Sequence, residues 1–513
     1  MVKVKKLRVA AVMLLSAALL LLIFGGSSPL YPRNPWVDAN CFHTVAREMA
    51  AGKLLYRDII EQKGPLLYLL HIPSVLISPN GFFGIYLLEV LALAALMFIS
   101  WRTVSLFVKE KFWPFVIFAA FAIVTSRAFV WGDSAEEICA PLFAWAIYDA
   151  MKYFSAPDSK MRNICLLKHG FIAGCIVWIK FSLLGLYFAW MAVIALECVF
   201  RRRKVGRALV MCLIFVGGMA LAAVPWIAYY GAKGALKDML DVYFIQNTVQ
   251  YDQGFNPTVA KIIGNRETNP VITALIGIFG GSAVNPLMGL MIAGGLGCVL
   301  FAKREGKFFW QKLALVLMAL CAALFIYAGG RLNGYYYMIF ASFVPVGCIA
   351  LAKWWEKAAA KRWKSFGAVL LIVVLAVSVC GMTAFNRNIP AIGYDKEDTP
   401  QEKFADIISE TEGANLLNVG FLDGGFYLAS GTEPAHPWFC TLLANKEGCF
   451  EAQSAVVAAG GADYVVTMKK TLADSGMDDS LYDLVAQEKE PISYNEKGNT
   501  YYLYRLKTLS PAA

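Results

Sequence analysis

The segment VAAVMLLSAALLLLIFGG, at residues 9–26, is apolar along its whole length and carries no charged side chain. A helix needs about 20 apolar residues to cross a hydrocarbon core of roughly 30 Å. Similar runs recur along most of the 513 residues, of which 58% are hydrophobic and 16% are charged. Mean hydropathy is correspondingly high, at +0.55. The sequence therefore predicts an all-α polytopic membrane protein, with the first run as a span rather than a cleaved signal peptide.

The basic residues are grouped in short segments between the apolar runs, for example KVKKLR at residues 3–8 and RRRKVGR at 201–207. Short basic loops remain on the cytoplasmic side of a membrane. This rule places the N-terminus inside and the loop of residues 26–63 outside. Because the charge is distributed in this way rather than as one basic surface, we expect membrane lipids and no nucleic acid as partners.

Hydropathy and loop charge together predict about 11 spans. The proline-containing segment 64–78 is short, and a crossing there would place the basic segment 101–111 outside. We therefore predict a juxtamembrane or re-entrant helix for residues 64–78. The apolar run 171–200 is too long for one upright span and contains Lys180. We predict two halves that bend at this lysine.

Residues 386–513 differ in composition from the rest of the chain, and we predict a domain boundary there. They contain 19 acidic and 10 basic residues, against 37 and 47 for the whole chain. Strand-like segments such as NLLNVGF (415–421) and TYYLYRL (500–506) alternate with helix-like ones. The predicted organisation is a transmembrane domain at 1–385, followed by a compact α/β domain. An odd number of spans places this domain outside the cell membrane, where Cys440 and Cys449 could form a disulfide bond.

The outer loop carries an unusual set of charged residues in NPWVDANCFHTVAREMAAGKLLYRDIIEQKGPLLY, residues 34–68. Phe42, Val45 and Met49 lie on one face at helical spacing, and Gly52 closes the segment. The pattern predicts a short amphipathic helix on the outer membrane surface with Asp38 at its N-terminus. Capping of this helix would by itself explain an aspartate there. A catalytic base at the same position is the second interpretation, and both fit the same geometry.

The order of residues in this loop resembles the first outer loop of the C-superfamily of membrane glycosyltransferases. That superfamily includes protein O-mannosyltransferases and the aminoarabinose transferase of lipid A. The matching positions are an acid after the first span, Gly52, Tyr56, Asp58 and the Lys-Gly-Pro of residues 63–65. Three later segments fit as well: WGDSAEEICAPLF (131–143), GCIVWIKFSLLGLY (174–187) and AGGRLNGYYYMIF (328–340).

This resemblance implies an inverting transfer of sugar from a polyprenyl-phosphate donor at the outer face of a bacterial cell membrane. The acceptor would be an extracytoplasmic protein, lipid or wall polymer. Asp38 would be the general base, since desolvation raises the pKa of a carboxyl group toward the useful range. Fixed cations would stabilise the leaving phosphate. The residues expected to bind substrate are Asp58, Lys63, Asp133, Glu136, Glu137, Lys180, Arg331 and Tyr336.

Most of these residues also have a structural explanation. Lys63 could extend to lipid headgroups, and Lys180 could pair with an acid only to hold the bundle together. Asp133, Glu136 and Glu137 would be favoured near the N-terminus of a helix by its dipole, and an interfacial aromatic belt would account for the tyrosines. The resemblance implies no cofactor. Asp133 and Glu136 could supply two oxygen ligands to a divalent metal, which we retain as the alternative.

Two further functions remain open at the level of sequence. A secondary transporter or a flippase for lipid-linked sugars would use the same helices, with Lys180 and Glu137 as intramembrane charges. Transporters place such charges near the midplane between repeats, whereas most of the acids here are predicted at the outer interface. The other alternative is a ligase that attaches a preassembled glycan.

Overall fold

The computed structural model describes residues 2–108, 113–155, 161–250, 269–301, 309–360, 364–491 and 498–509. Helices dominate these residues, and a small sheet forms near the C-terminus. This confirms the predicted helical fold with a C-terminal α/β part. The main helices are Val2–Phe24, Val37–Ala50, Pro65–Ile77, Phe83–Val104, Trp113–Val124, Ala135–Ser155, Asn163–Lys180, Gly185–Phe200, Val205–Ala232, Pro270–Val284, Pro286–Leu300, Phe309–Tyr327, Gly347–Ala360, Lys364–Ala384, Pro400–Ser409 and Lys446–Ala458.

The chain is a multi-pass membrane protein. Within the described residues, five helices are long and apolar enough to cross a membrane, or up to seven if each of two bent helix pairs is one span. Four shorter apolar helices accompany them, including Pro65–Ile77 and Gly185–Phe200. The predicted number of about 11 spans and the predicted sidedness stay predictions.

The predicted break at Lys180 is confirmed. The helix Asn163–Lys180 ends at this lysine, a 3₁₀ turn covers Phe181–Leu183, and the next helix begins at Gly185. Gly170 and Gly174 allow Asn163–Lys180 to pack closely on Val205–Ala232. A Cβ atom at Gly170 would lie 2.0 Å from the carbonyl oxygen of Phe215. Small residues spaced by four give membrane helices this close approach, and a side chain at either glycine would force the helices apart.

The chain divides into two compact units. The helical unit comprises Met1–Gly25, Glu89–Pro225 and Gln253–Ile389, and the sheet unit comprises Gly26–Leu88, Trp226–Asp252 and Pro390–Ala513. The first outer loop thus belongs to the same compact unit as the C-terminal sheet. The predicted boundary between residues 385 and 386 stays a prediction.

The described residues of the sheet unit form five strands: β1 (Asn415–Val419), β2 (Glu433–Pro434), β3 (Tyr464–Thr467), β4 (Tyr482–Lys489) and β5 (Thr500–Leu506). Their order is β2-β1-β3-β5-β4, with β1 parallel to β2 and β3, and β5 antiparallel to β3 and β4. Alternate apolar residues of these strands pack with the helix Lys446–Ala458 in one core that includes Leu417, Val465 and Val457. The strand-like segments of the sequence therefore form the predicted α/β arrangement.

The first-loop helix Val37–Ala50 is buried on both faces within this unit. Its polar residues Asn40, Thr44 and Glu48 are buried together with Phe42 and Val45. The predicted amphipathic helix is thus present, with its polar face buried as well as its apolar face. The reason is that the C-terminal domain covers the polar face, as the hydrogen bonds below show.

Two side chains of this helix bond to the C-terminal domain. The Thr44 hydroxyl donates to Asp423 at 2.6 Å, and the Arg47 guanidinium donates to the carbonyl oxygens of Tyr427 at 2.8 Å and Thr432 at 2.6 Å. Before the helix, Arg33 forms a 2.6 Å ion pair with Glu402. The loop and the domain are therefore joined by buried polar contacts, which are costly to break when one partner is removed.

We expect Glu490 to make the stability of the sheet unit dependent on pH. Burial raises the pKa of its carboxyl group from 4.5 to about 7, with hydrogen bonds from Gln401 and Tyr501 at 3.3 Å. Between these two pH values the folded chain retains a proton that the unfolded chain releases, so stability falls as pH rises. We expect a loss of about 3 kcal/mol across this window, and the loss should disappear in Glu490→Gln. Melting temperatures from pH 4.5 to 8 measure it.

The matched control for this prediction is Glu447→Gln, at an exposed position of the same domain. It should melt with the pH dependence of the wild type. Identical pH dependence in wild type and Glu490→Gln would contradict the assignment.

Candidate functional site

Asp38 lies in the first turn of Val37–Ala50 and does not cap it. The N-cap residue is Trp36, and within the described part of the chain no side chain caps this end. The backbone amide of Trp36 instead donates to Asn34 Oδ1 at 2.9 Å. The capping explanation of Asp38 is therefore wrong, because the helix begins one residue before it. The helix dipole still favours a carboxylate at this position.

Lys63 lies between two carboxylates. Its Nζ atom is 3.8 Å from Asp38 Oδ2 and 3.8 Å from Glu61 Oε1. The side chains of Asp38 and Lys63 are only 13% and 9% exposed. Lys63 Nζ also lies 5.4 Å from the ring centroid of Phe42. The structure thus brings together Asp38 and Lys63, two of the residues selected from sequence, in a site that excludes most water.

Glu61 is a site residue that the sequence analysis did not select. It is buried, accepts a 2.7 Å hydrogen bond from the Lys63 amide, and accepts another from the Tyr68 hydroxyl. Burial raises the pKa of the Glu61 carboxyl group, and the Lys63 charge opposes this effect. The feature of the sequence that could have identified Glu61 is its position two residues before Lys63. We refer to Asp38, Glu61, Lys63 and Tyr68 as the first-loop cluster.

The residues between Gly52 and Lys63 form a turn that sets the position of the lysine. Gly52 has φ +96° and ends the helix, a conformation that favours glycine. The Asp58 carboxylate accepts from the Leu54 amide at 2.8 Å, and the Tyr56 hydroxyl donates to the Lys63 carbonyl at 2.7 Å. Asp58 is exposed and closes this turn. Its predicted contact with substrate stays a prediction, and the geometry gives it a positioning role.

In the helical unit, Lys180 binds Glu136. The Nζ–Oε1 distance is 2.6 Å, and the two side chains are 12% and 1% exposed. The same ammonium lies over the ring of Tyr336 at 4.5 Å and over that of Tyr335 at 5.2 Å. The structure therefore unites Lys180, Glu136 and Tyr336, which three separate sequence segments supplied.

Asp133 and Glu137 belong to the same region. The Asp133 amide donates to Glu137 Oε2 and to Glu89 Oε1, both at 2.9 Å, and all three side chains are buried. Glu89 was not selected from sequence, although an acid inside the apolar run FGIYLLEVLALAALMF was a signal for function. We refer to Glu89, Asp133, Glu136, Glu137 and Lys180 as the acidic cluster.

The backbone before this cluster is strained. Val130 and Asp133 have φ values of 59° and 61°, and Gly132 has φ 93°. A positive φ is an outlier for a β-branched residue such as valine. The Asn388 side chain donates to the Val130 carbonyl at 2.9 Å and so holds this turn. Strain of this kind concentrates at functional sites, where surrounding contacts enforce it.

Arg331 lies half-buried in the turn that follows Phe309–Tyr327, a few residues before Tyr335 and Tyr336. Its predicted contact with phosphate stays a prediction. Tyr337, which follows Tyr336 in the chain, hydrogen-bonds to Ser282 at 2.7 Å. The tyrosines of this run therefore have different partners: Tyr335 and Tyr336 face Lys180, and Tyr337 faces Ser282.

Among the described residues, one group of possible metal ligands has its ligand atoms mutually within 4.8 Å, namely Asp149, Cys165 and His169. It is not the predicted pair of Asp133 and Glu136. Lys168 Nζ lies 2.6 Å from Asp149 Oδ2, and His169 bonds to the same oxygen at 2.8 Å. These contacts explain why the three residues lie together without a metal ion: Asp149 is the centre of an ion-pair network. Asp149 lies roughly 20 Å from Glu136 along the helix Ala135–Ser155.

We expect Lys180→Met to destabilise the protein by about 3–5 kcal/mol, because it leaves the carboxylate of Glu136 buried without its cation. The double variant Lys180→Met/Glu136→Gln should recover most of the stability. Melting temperatures of the four proteins in this cycle give the coupling between the two residues. Additive effects of the two substitutions would contradict a direct pair.

Comparison with known proteins gives a match to solved structures. The chain matches ArnT from Cupriavidus metallidurans bound to undecaprenyl phosphate with a TM-score of 0.59 and 15% identity, covering 98% of each chain. The apo state of the same protein matches with a TM-score of 0.53 and 14% identity, covering 97% of each chain. At such low identity, these two matches show only that the fold is shared, over nearly the whole length of the chain. No family model matches the chain, and no curated protein matches it.

Proposed function

We propose that the chain is a membrane glycosyltransferase that moves a sugar from a polyprenyl-phosphate donor to an extracytoplasmic acceptor, with Asp38 as general base. The observation that carries the proposal is the Asp38–Lys63 pair, 3.8 Å apart and largely shielded from water. The fold shared with ArnT, whose structure contains undecaprenyl phosphate, supports the class of donor.

The transfer requires a base at the acceptor. Asp38 takes the proton of an acceptor hydroxyl or amine as that atom attacks the anomeric carbon. The bond from the anomeric carbon to the phosphate oxygen breaks, and its electron pair leaves with the polyprenyl phosphate. Attack from the opposite side inverts the anomeric configuration. A carboxylate in the first turn of a buried helix is held in one place, which favours this role.

The leaving phosphate requires a cation. Lys63 supplies one next to Asp38, and its position is fixed by the Tyr56 hydroxyl and the Glu61 carboxylate. A fixed ammonium in a water-poor site stabilises the negative charge that grows on the phosphate. Arg331 is the second candidate for this role on the basis of its position in the tyrosine-containing turn.

The acidic cluster is suited to bind hydroxyl groups of a sugar. Carboxylates accept hydrogen bonds from hydroxyls, and the aromatic face of Tyr336 can pack against a sugar ring. We propose this role for Asp133 and Glu137, with Lys180 holding Glu136 in place. A metal ion is not required for any of these steps, and the proposed cofactor requirement is none.

The test is a donor assay with the full-length chain in lipid nanodiscs. The donors are a panel of undecaprenyl-phosphate hexoses and amino sugars, an extract of cell envelope supplies acceptors, and released undecaprenyl phosphate is measured by mass spectrometry. We expect release of undecaprenyl phosphate from a lipid-phosphate donor, and no transfer of sugar to the acceptors from the matching nucleotide sugars. In sealed proteoliposomes, transport of the intact lipid-linked sugar across the bilayer without phosphate release would contradict the proposal and favour the flippase alternative.

A further inference from the structure

Two buried thiols from distant parts of the chain meet in the sheet unit. The Sγ atoms of Cys41 and Cys440 are 3.9 Å apart, although the residues are separated by 399 positions. Cys41 belongs to the helix Val37–Ala50, and Cys440 belongs to the C-terminal domain. They are 1% and 0% exposed. We propose that Cys41 and Cys440 form a disulfide bond that joins the first outer loop to the C-terminal domain.

The neighbouring cysteine does not compete for this bond. The Cys449 thiol donates to the backbone carbonyl of Cys440 at 3.3 Å. Its sulfur is therefore directed at the main chain of Cys440, whereas the Cys41 sulfur faces the Cys440 sulfur. The pairing of Cys440 with Cys449 considered from sequence stays a prediction, and the facing sulfur of Cys41 is the observation that favours the alternative pair.

The surrounding contacts hold the helix of Cys41 against the segment of the C-terminal domain that contains Cys440. Thr44, one turn after Cys41, donates to Asp423, and Arg47 donates to the carbonyl of Tyr427. A disulfide bond is about 2.05 Å long, so the sulfurs must approach by roughly 2 Å through side-chain rotation. Oxidation leaves no donor without a partner, because it removes both thiol hydrogens from the buried pair.

The reaction is a thiol–disulfide exchange with an oxidised dithiol oxidoreductase of the extracytoplasmic compartment. One cysteine thiolate attacks the oxidant disulfide and forms a mixed disulfide. The second cysteine thiolate then attacks the sulfur of the first. Two electrons and two protons pass to the oxidant, which leaves as a dithiol. The proposal rests on the outer placement of the C-terminal domain, since disulfides persist in oxidising compartments.

Burial determines when the bond forms and how it behaves afterwards. It raises the pKa of the Cys41 and Cys440 thiols, so the folded pair holds little of the reactive thiolate. The bond therefore forms while the loop and domain are still assembling. For the same reason a reductant has little access to it in the folded protein. We expect reduction to be slow under native conditions and fast after unfolding.

The experiment identifies the linked peptides directly. Cells are lysed in N-ethylmaleimide, and the full-length protein is denatured in the same reagent and digested without reductant. We expect one peptide pair containing Cys41 and Cys440, lighter by two hydrogen atoms than the sum of the reduced peptides, and an alkylated Cys449. Alkylation of all three residues would overturn the proposal, and so would a link that includes Cys449.

The variants separate this proposal from its premise. Cys449→Ser should keep the link, and Cys41→Ser should abolish it and leave Cys440 alkylated. Asp479 is exposed in the C-terminal domain, and Asp479→Cys reports sidedness through a membrane-impermeant maleimide applied to intact cells. Free thiols in a domain labelled from outside would refute the pairing itself. Free thiols at Cys41 and Cys440 in an unlabelled domain would refute the proposal through its premise that the domain lies outside. Sugar transfer is measured in a separate assay, so failure of the proposed function is distinguishable from either result.

Discussion

Asp38→Asn is expected to reduce sugar transfer by about 10²- to 10⁴-fold, the usual contribution of a general base. Asparagine has nearly the same shape but cannot take a proton from the acceptor. No capping hydrogen bond is lost within the described part of the chain, because the cap residue is Trp36. Lys63 keeps Glu61 as a second carboxylate neighbour. The loss should therefore appear in kcat, measured as release of undecaprenyl phosphate at saturating donor.

The control for this prediction is Asp398→Asn, an exposed aspartate in the same compact unit. It should transfer sugar at the wild-type rate. The melting temperature of Asp38→Asn should lie close to that of the wild type, since the exchange is isosteric. A folded Asp38→Asn protein that transfers sugar normally would remove Asp38 from the mechanism.

Lys63→Met is expected to reduce kcat by about 10²- to 10³-fold, the typical cost of removing one fixed group that stabilises charge in a transition state. The methionine side chain preserves much of the packing against Phe42 but carries no charge. Product inhibition by undecaprenyl phosphate should weaken in parallel, because the same ammonium is proposed to bind the free phosphate. Initial rates at increasing concentrations of undecaprenyl phosphate measure both effects.

A second variant separates charge stabilisation from folding. Lys63→Met leaves the carboxylates of Asp38 and Glu61 without the cation that lies 3.8 Å from each, which destabilises a buried site. Lys63→Met/Glu61→Gln removes one of these charges and should recover stability without recovering activity. Recovery of activity together with stability would show that Lys63 acts only through the fold.

The two clusters were predicted from sequence to different extents. In the acidic cluster, Asp133, Glu136, Glu137 and Lys180 stood out because charge near or inside an apolar run is costly. Glu89 obeys the same rule and was overlooked. Glu61 was harder to select, since a glutamate in a charged loop is ordinarily a solvated residue. Only its hydrogen bonds to Lys63 and Tyr68 distinguish it.

The amphipathic pattern of Val37–Ala50 predicted the helix correctly and did not predict the burial of its polar face. Periodicity reports which face is apolar, and it does not show what covers the polar face. Here Thr44 and Arg47 find partners in a domain that begins more than 300 residues later. The same long-range packing placed Cys41 opposite Cys440, a pairing that the local spacing of Cys440 and Cys449 did not suggest.

The sequence by itself determined the membrane class, the helical fold, the break at Lys180 and the α/β character of the C-terminal part. These properties depend on hydropathy, charge and local periodicity, each of which is written along the chain. The tertiary structure alone decided which charges face each other: Lys63 with Asp38 and Glu61, and Lys180 with Glu136. The physical reason is that an ion pair depends on a separation of a few ångströms, and only folding brings distant segments that close.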